Sequence, residues 1–288
     1  AKQSRKNRLP KPIKLFDELF INPIRRGLKT YRMAKLDRNN DVIIDFSHDQ
    51  ASFLKSVKAK KIVFFHSSIS QEQQREPKVV AKMKKRIQVY DHIVTIAKDM
   101  YKEACTYYPN VKDRITMIYN TMDLEQIQRK AQMPVEDKRI EKPFLLSVSR
   151  LDEGSKDITS LIRAYAILRS KYGHDEELYI IGKGDALQQL QDEAVKQGVK
   201  NYVHFLGFMS NPYPWISQCQ LFVQSSKYEG LPTTMIESLL LDKMIVATDC
   251  PTGPHEIIND GKAGLLTPVG DVEALAKAMH EALTDKAL

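Results

Sequence analysis

The feature that most constrains the fold is a regular alternation of short hydrophobic runs and longer amphipathic segments in the second half of the chain. The hydrophobic runs predict strands at residues 144–149, 178–181, 202–206, 221–224, 244–247 and 264–266. Segments of helical length fill most of the gaps. This order predicts a parallel sheet covered by helices on both faces, because parallel strands need long crossover connections. Ligands of such sheets bind at the carboxyl ends of the strands.

The first half of the chain alternates in a similar way, which predicts a second α/β domain. Its predicted elements are a helix from Asn22, strands at residues 41–46 and 61–65 with a helical segment between them, a helix at 77–90, a strand at 92–96, a helix at 98–107 and a strand at 115–119. Residues 122–141 are polar, rich in charge and without a clear period, as expected for a linker. The predicted domains are therefore residues 1–140 and 141–288, with residues 1–12 as a flexible arm or a truncated edge.

Length and composition favour a globular protein of two domains. The chain has 288 residues, its hydrophobic fraction is 42%, and its longest apolar runs are far shorter than a membrane span. Three widely spaced cysteines, Cys105, Cys219 and Cys250, form neither a disulfide framework nor a zinc-binding pattern. The first residues do not resemble a secretory leader, so the sequence predicts a cytoplasmic protein.

The net charge of +8 conceals an asymmetry between the two halves. Residues 1–140 contain 30 Lys and Arg against 16 Asp and Glu, whereas residues 141–288 contain 14 against 20. This excess favours an anionic partner for the first half: anionic lipid, a phosphorylated glycan or nucleic acid. Nucleic acid is disfavoured because neither a recognition helix nor a base-stacking platform accompanies the charge. The alternative is that the lysines only solvate helix faces.

Polar residues and glycines follow the predicted strands of the second half. Arg150 comes directly after the first strand and Lys156 precedes the next predicted helix. A guanidinium and an ammonium beside a helix N-terminus suit a diphosphate, although both residues could simply be surface cations in a loop. Gly182 after the next strand permits either close approach to a ligand or a tight turn. In the following aromatic loop, Tyr213 and Trp215 are predicted to pack in a core.

The stretch SSKYEGLPTTMIESLLLDKMIVATD, at residues 225–249, combines a strand end, a helix start and two carboxylates. Glu229 precedes the predicted helix, Pro232 lies in its first turn, and Glu237 lies within its apolar run. Burial of a carboxylate is costly unless a partner satisfies it. Both glutamates are therefore predicted to accept hydrogen bonds from ligand hydroxyls, in the crevice that Arg150 borders.

Six segments of residues 142–288 occur in a characteristic order: SVSRLDEGSKD, LYIIGKGDALQQL, VHFLGFMSNPYPW, LFVQSSKYEGLPTTMIES, IVATDCPTGPHEII and GKAGLLTPVGD. They resemble the nucleotide-sugar-binding domain of retaining GT-B glycosyltransferases of family 4, the glycosyl transferases group 1. The resemblance implies two Rossmann-like parallel-sheet domains that face a cleft. It also implies how the donor is bound. Arg150 and Lys156 would bind the diphosphate, and Glu237 the ribose. The sugar would contact Glu229, Gly230, Leu231 and Pro232, the base would lie near Leu206, and Gly182 would be a further donor-binding residue.

The first half resembles the acceptor domain of the same family in part. IVFFHSSIS places His66 where these enzymes carry a histidine beside the transferred sugar, and IVTIAKDMYKEA and IYNTMDLEQI also fit. Outside this family, a histidine in that place is more often packed or solvent-facing. The family's opening strand and glycine-rich loop have no counterpart before Asp41, nor is its C-terminal crossing helix found. The N-terminal domain is therefore expected to be incomplete, because the sequence is a fragment or departs from the family at both ends.

The resemblance implies a retaining hexosyltransferase of bacterial polysaccharide or lipopolysaccharide synthesis, with His66, Arg150, Lys156 and Glu229 as catalytic residues. A positive clamp on the diphosphate makes a metal unnecessary, in agreement with the lack of an Asp-x-Asp pattern. No cofactor is expected besides the nucleotide-sugar substrate. The TGP segment at residues 252–254 resembles enzymes that use UDP-hexoses or their N-acetyl forms, so UDP is the preferred nucleotide.

The expected acceptor is a glycan or glycolipid, with an anionic one favoured by the basic first half. Peripheral contact with an anionic membrane at the inner face of the cytoplasmic membrane is a further hypothesis. Two alternatives stay open: a partner subunit that binds nucleotide-sugar without transferring it, and a phosphorylase or epimerase of similar architecture. Product analysis with and without acceptor distinguishes them.

Overall fold

The computed structural model describes Leu19 and residues 21–46, 50–258 and 263–285; the predicted arm at residues 1–12 lies outside this range. The first part of the chain contains α1 (Asn22–Asn39), β1 (Val42–Asp45), β2 (Lys60–Phe65), α2 (Ile69–Arg75), α3 (Pro77–Arg86), β3 (His92–Thr95), α4 (Lys98–Tyr107), β4 (Ile115–Met117) and α5 (Leu124–Ala131). The second part contains β5 (Phe144–Val148), α6 (Ile158–Tyr172), β6 (Glu177–Ile181), α7 (Leu187–Lys196), β7 (Val203–Gly207), α8 (Tyr213–Gln218), β8 (Leu221–Gln224), α9 (Thr233–Leu240), β9 (Ile245–Thr248), α10 (Pro254–Ile258), β10 (Leu265–Thr267) and α11 (Val272–Thr284). Each predicted strand is present, with its ends within two residues of the prediction.

The strands form two parallel sheets, which confirms the predicted α/β fold with two Rossmann-like units. In the described residues the first sheet has the order β1-β2-β3-β4 and the second the order β10-β9-β8-β5-β6-β7. Strand β5 pairs with β6 on one side and with β8 on the other. The order of the second sheet therefore reverses between β5 and β8. Open α/β sheets bind their ligands at such a reversal.

Both faces of the second sheet are buried, as its uninterrupted hydrophobic strands predict. Alternate residues of β5 point to opposite faces: Leu145 joins the core that contains α6 and α11, whereas Phe144 and Leu146 join the core that contains α8 and α9. Trp215 on α8 is 2% exposed and its ring centroid lies 5.5 Å from that of Phe144. The predicted packing role of Trp215 is thus confirmed.

Three connecting segments differ from the prediction, and one of them forms the unpredicted helix α2 at Ile69–Arg75. The described residues 50–59 before β2 form hydrogen-bonded turns rather than a helix, with the Phe53 N–H donating to the Gln50 carbonyl at 2.8 Å. The segment at residues 122–141 contains α5, which Asp123 caps by accepting from the Gln126 N–H at 2.9 Å. Ile127 is the buried residue of α5, and with Leu124 and Ala131 it forms a short apolar pattern at helical spacing that the prediction of a linker overlooked. Helix α5 packs against α8 and α9 of the second domain.

The two domains meet at the loop before α9. Leu231 from this loop is only 7% exposed, because its side chain packs in the core of the first domain. Ile236 on α9 and Ile257 on α10 also pack against that core. The apolar contact fixes the start of α9 against the carboxyl end of the first sheet.

Candidate active site

Most of the predicted site residues gather at the carboxyl ends of β5 and β8, where the strand order of the second sheet reverses. Arg150 follows β5 by two residues, and the loop that carries Glu229 follows β8. Since the two strands are neighbours in the sheet, Lys156 and Glu229 meet although they are 73 positions apart.

Glu229 accepts three hydrogen bonds through its Oε1 atom. The donors are Lys156 Nζ, Ser226 Oγ at 2.6 Å and Gln224 Nε2 at 3.2 Å. The side chains of Lys156 and Glu229 are 15% and 11% exposed, so their attraction is only weakly screened by solvent. An ammonium has three donors. Lys156 can therefore hold Glu229 and still donate to a ligand.

The loop between Arg150 and Lys156 is shaped by two acidic residues. Asp152 accepts from Ser155 Oγ at 2.8 Å and from the Gly154 N–H at 2.9 Å. Burial alone would raise the pKa of Asp152, but these hydrogen bonds, together with the charge of Arg150, outweigh burial and lower the pKa. Glu153 Oε1 accepts from the first N–H of α6 at 2.8 Å, so a carboxylate of the protein already occupies this helix N-terminus.

Arg150 is exposed and borders an open cavity of about 530 Å³ that Lys183 and Asp185 also line. Lys156, in contrast, lies beside Glu229. The two cations flank one loop, and their joint binding of one anion stays a prediction.

Two glycines lie where a side chain would collide with neighbouring backbone. Gly182 has a φ of +154°, and a Cβ atom there would lie 1.8 Å from the Ser149 carbonyl oxygen. At Gly230, a Cβ atom would lie 2.1 Å from the carbonyl oxygen of His66 in the other domain. Leu206 on β7 is half-buried and packs against the core beneath the site. These contacts explain why Gly182 and Gly230 are glycines, and the ligand roles of all three residues stay predictions.

Glu237 lies half-buried on α9 and accepts a hydrogen bond from the Tyr213 hydroxyl at 3.3 Å. Burial raises the pKa of Glu237, and the hydrogen bond from Tyr213 acts in the opposite direction. The sequence predicts only packing for Tyr213, whereas the structure gives it a polar contact as well. Helix α9 begins at Thr233, so Pro232 directly precedes its first turn instead of lying in it, and Pro232 provides no side-chain capping hydrogen bond.

The first domain borders the site through the end of β2 and through α2. His66 directly follows β2, and its exposed ring stacks on Phe46 with 5.4 Å between the ring centroids. Arg75, the last residue of α2, places its guanidinium carbon 5.0 Å from the centroid of the Tyr228 ring. The proximity of His66 to a transferred sugar stays a prediction.

A polar contact also connects the two domains. Glu256 on α10 accepts a hydrogen bond from the Lys98 N–H at the start of α4, at 2.9 Å, and another from the Tyr119 hydroxyl. A carboxylate at a helix N-terminus is stabilised by the partial positive charge there. Burial and the hydrogen bond to Glu256 raise the pKa of Tyr119 to about 12.

Sequence reasoning missed several of these residues. Gln224 and Ser226 lie within five positions of Glu229, at the end of a predicted strand. This placement could have predicted that they contribute to the site. Glu256 and Tyr119 are 137 positions apart and meet only because the domains dock, so no local pattern indicates their contact.

Comparisons with known proteins agree with this architecture. The chain is 36% identical over 172 residues to the N-acetylgalactosamine-N,N'-diacetylbacillosaminyl-diphospho-undecaprenol 4-alpha-N-acetylgalactosaminyltransferase of Campylobacter jejuni, a match that covers 60% of this chain and 45% of that enzyme. It therefore spans less than half the length of this relative. An uncharacterized glycosyltransferase of Methanocaldococcus jannaschii is 28% identical over an alignment of 306 positions, which covers 93% of this chain and 74% of the relative.

Solved structures share the fold at low sequence identity. The HepE protein of Anabaena in complex with UDP superposes with a TM-score of 0.71 at 17% identity, over 90% of this chain and 73% of that one. The model of the family described as glycosyl transferases group 1 matches residues 128–288, which is more than half of the chain. The chain therefore belongs to the glycosyl transferases group 1 family.

Proposed function

We propose that this protein is a retaining, metal-independent glycosyltransferase of the family 4 type, which moves a hexosyl or N-acetylhexosaminyl group from UDP to a glycan or glycolipid. The observation that carries the proposal is the Lys156–Glu229 pair, largely buried where the strand order of the second sheet reverses. The backbone of His66 lies against Gly230 next to this pair. One crevice thus contains a cation and a carboxylate from the second domain, and the first domain borders it through His66.

In the proposed reaction, Arg150, Lys156 and the N-terminus of α9 bind the donor diphosphate. As the glycosidic bond breaks, negative charge grows on the departing UDP, and fixed positive groups stabilise it without reorganisation. Lys156 keeps one N–H on Glu229 and donates another to a phosphate oxygen. This arrangement makes a divalent metal unnecessary.

The remaining groups orient the sugar and the acceptor. Glu229 and the backbone of residues 230–232 hold the sugar hydroxyls, with His66 on the opposite side. Glu237 accepts from the ribose. The acceptor hydroxyl attacks from the side on which UDP leaves and gives its proton to the departing diphosphate oxygen, so the anomeric configuration is retained and the protein supplies no nucleophile.

UDP and a lipid-linked acceptor are supported by the relatives. The name of the Campylobacter enzyme gives an undecaprenol diphosphate-linked acceptor for that protein, and the Anabaena structure holds UDP. We extend both properties to this chain and propose that it acts in surface polysaccharide or lipopolysaccharide synthesis, at the cytoplasmic side of the membrane.

The basic first half supports contact with an anionic acceptor or membrane surface. Six cations lie on α1, a helix without a buried residue: Arg25, Arg26, Lys29, Arg32, Lys35 and Arg38. None of the helices formed by the described residues has the length and apolar character needed to cross a bilayer. Equal binding to vesicles with and without anionic lipid at low salt would contradict this part of the proposal.

A panel of nucleotide-sugars tests the donor by thermal stabilisation, because a ligand that binds only the folded state raises its stability.

Transfer by Lys156→Ala is expected to fall by about 30- to 1000-fold, the effect of removing a comparable donor to a developing anion. Lys277→Ala, which removes a 68% exposed side chain of α11, is the matched control and should leave transfer unchanged. Undiminished transfer by Lys156→Ala would refute the assignment. Binding without transfer or hydrolysis would instead identify a non-catalytic subunit, and epimerised or phosphorolytic products would identify the other alternative.

A further inference from the structure

Among the described residues, a hydrogen bond is donated to only one of the two carboxylate oxygens of Glu237. Tyr213 donates to Oε1 at 3.3 Å, and no described residue donates to Oε2. The side chain is half-buried, and a carboxylate in such a place needs donors. The geometry therefore leaves one oxygen for a donor from outside the protein.

Tyr213 is itself held in place by the loop that precedes α8. Its backbone N–H donates to Asn211 Oδ1 at 3.4 Å, and Asn211 Nδ2 donates to the Lys130 carbonyl of α5 at 3.0 Å. Pro212 and Pro214 flank Tyr213 and restrict the backbone on both sides. A chain of hydrogen bonds thus runs from the linker helix through Asn211 and Tyr213 to Glu237.

We infer that Tyr213 is a positioning residue, which holds Glu237 Oε1 so that Oε2 accepts a hydrogen bond from a ribose hydroxyl of the donor. The inference rests on the proposed function, because it presupposes that the crevice binds a nucleotide-sugar. Without the tyrosine hydroxyl, Glu237 can rotate, and the ribose must then order a mobile side chain on binding.

Calorimetric titration with UDP tests this inference on the full chain. Tyr213→Phe is expected to weaken UDP binding about tenfold, which corresponds to about 1.4 kcal/mol, while kcat at saturating donor changes less than twofold. Tyr202→Phe is the matched control, because Tyr202 lies at the amino end of β7, away from the crevice, and should bind UDP like the wild type.

Ribose analogues and a second carboxylate variant locate the effect. Glu237 is expected to hold one ribose hydroxyl, at the 2′ or the 3′ position. The UDP analogue that lacks this hydroxyl, 2′-deoxy-UDP or 3′-deoxy-UDP, should bind wild type and Tyr213→Phe with almost equal affinity. Glu237→Gln should weaken UDP binding, and adding Tyr213→Phe should weaken it little further, because both changes act on one contact. Asn211→Ala removes the anchor of Tyr213 and should give a smaller loss, about threefold.

The pH dependence gives a readout that a purely structural role would not change. The hydrogen bond from Tyr213 lowers the pKa of Glu237 against the effect of burial. Its removal should shift the loss of UDP affinity in acid to a higher pH. If the wild type binds UDP and Tyr213→Phe binds it within twofold, the inference is wrong and the proposed function stands. A wild type that binds no UDP overturns the proposed donor and the inference together.

Discussion

Replacing Lys156 by methionine tests how strongly the pair with Glu229 stabilises the second domain. The two side chains are 15% and 11% exposed, so methionine leaves a carboxylate in a site that water reaches poorly. Loss of one partner of a buried pair costs about 3–5 kcal/mol. The hydrogen bonds from Ser226 and Gln224 still stabilise Glu229. We therefore expect a value near the lower limit, about 3 kcal/mol in the free energy of unfolding at pH 7.

Urea denaturation of four variants measures this effect without any ligand. Lys156→Met and Glu229→Gln should each destabilise the protein, and the double variant should lose less than the sum of the two, because the residues are in direct contact. Lys171→Met is the control: its pair with Glu273 is 58% and 65% exposed and should contribute less than about 1 kcal/mol. A loss below about 1 kcal/mol for Lys156→Met, with additive effects in the double variant, would refute the reasoning from burial.

Three further predictions follow from the contacts between and within the domains. Gly230→Ala places a Cβ atom 2.1 Å from the His66 carbonyl oxygen and should widen the cleft, as an increased radius of gyration in small-angle scattering, whereas Gly27→Ala, with open space around it, should not. Glu256→Gln removes the negative charge at the start of α4 and should lower the free energy of unfolding by about 0.3–1 kcal/mol, measured by denaturation against Glu136→Gln, which changes an exposed glutamate outside the helices. Because burial raises the pKa of Glu237, the folded state binds this proton more tightly than the unfolded state, so stability should fall as pH rises through the raised pKa. A pH series of denaturation curves should show this slope for the wild type, and its persistence in Glu237→Gln would contradict the assignment.

The strands were predictable because their information is local. A run such as FLLSV at β5 has apolar residues on both faces of the strand, which predicts a buried strand in the interior of a sheet. The same holds for the order of strands and helices, and hence for the placement of Arg150 and Glu229 at strand ends. Helix α5 was missed although Leu124, Ile127 and Ala131 recur at helical spacing, because this short pattern lies within a polar segment rich in charge.

The amino-acid sequence was therefore sufficient to predict the α/β class and the resemblance to a family. It was also sufficient to predict that Glu229 precedes a helix and that Glu237 lies within the same helix. Tertiary structure decided which groups meet there. Lys156 reaches Glu229 because β5 and β8 are neighbours in the sheet, and Tyr213 reaches Glu237 because α8 packs beside α9. The docking of the domains brings Glu256 to α4 and His66 to Gly230. Such contacts join residues that are far apart in the chain. A local sequence pattern cannot predict them, because they depend on strand order and on the packing of one domain against the other.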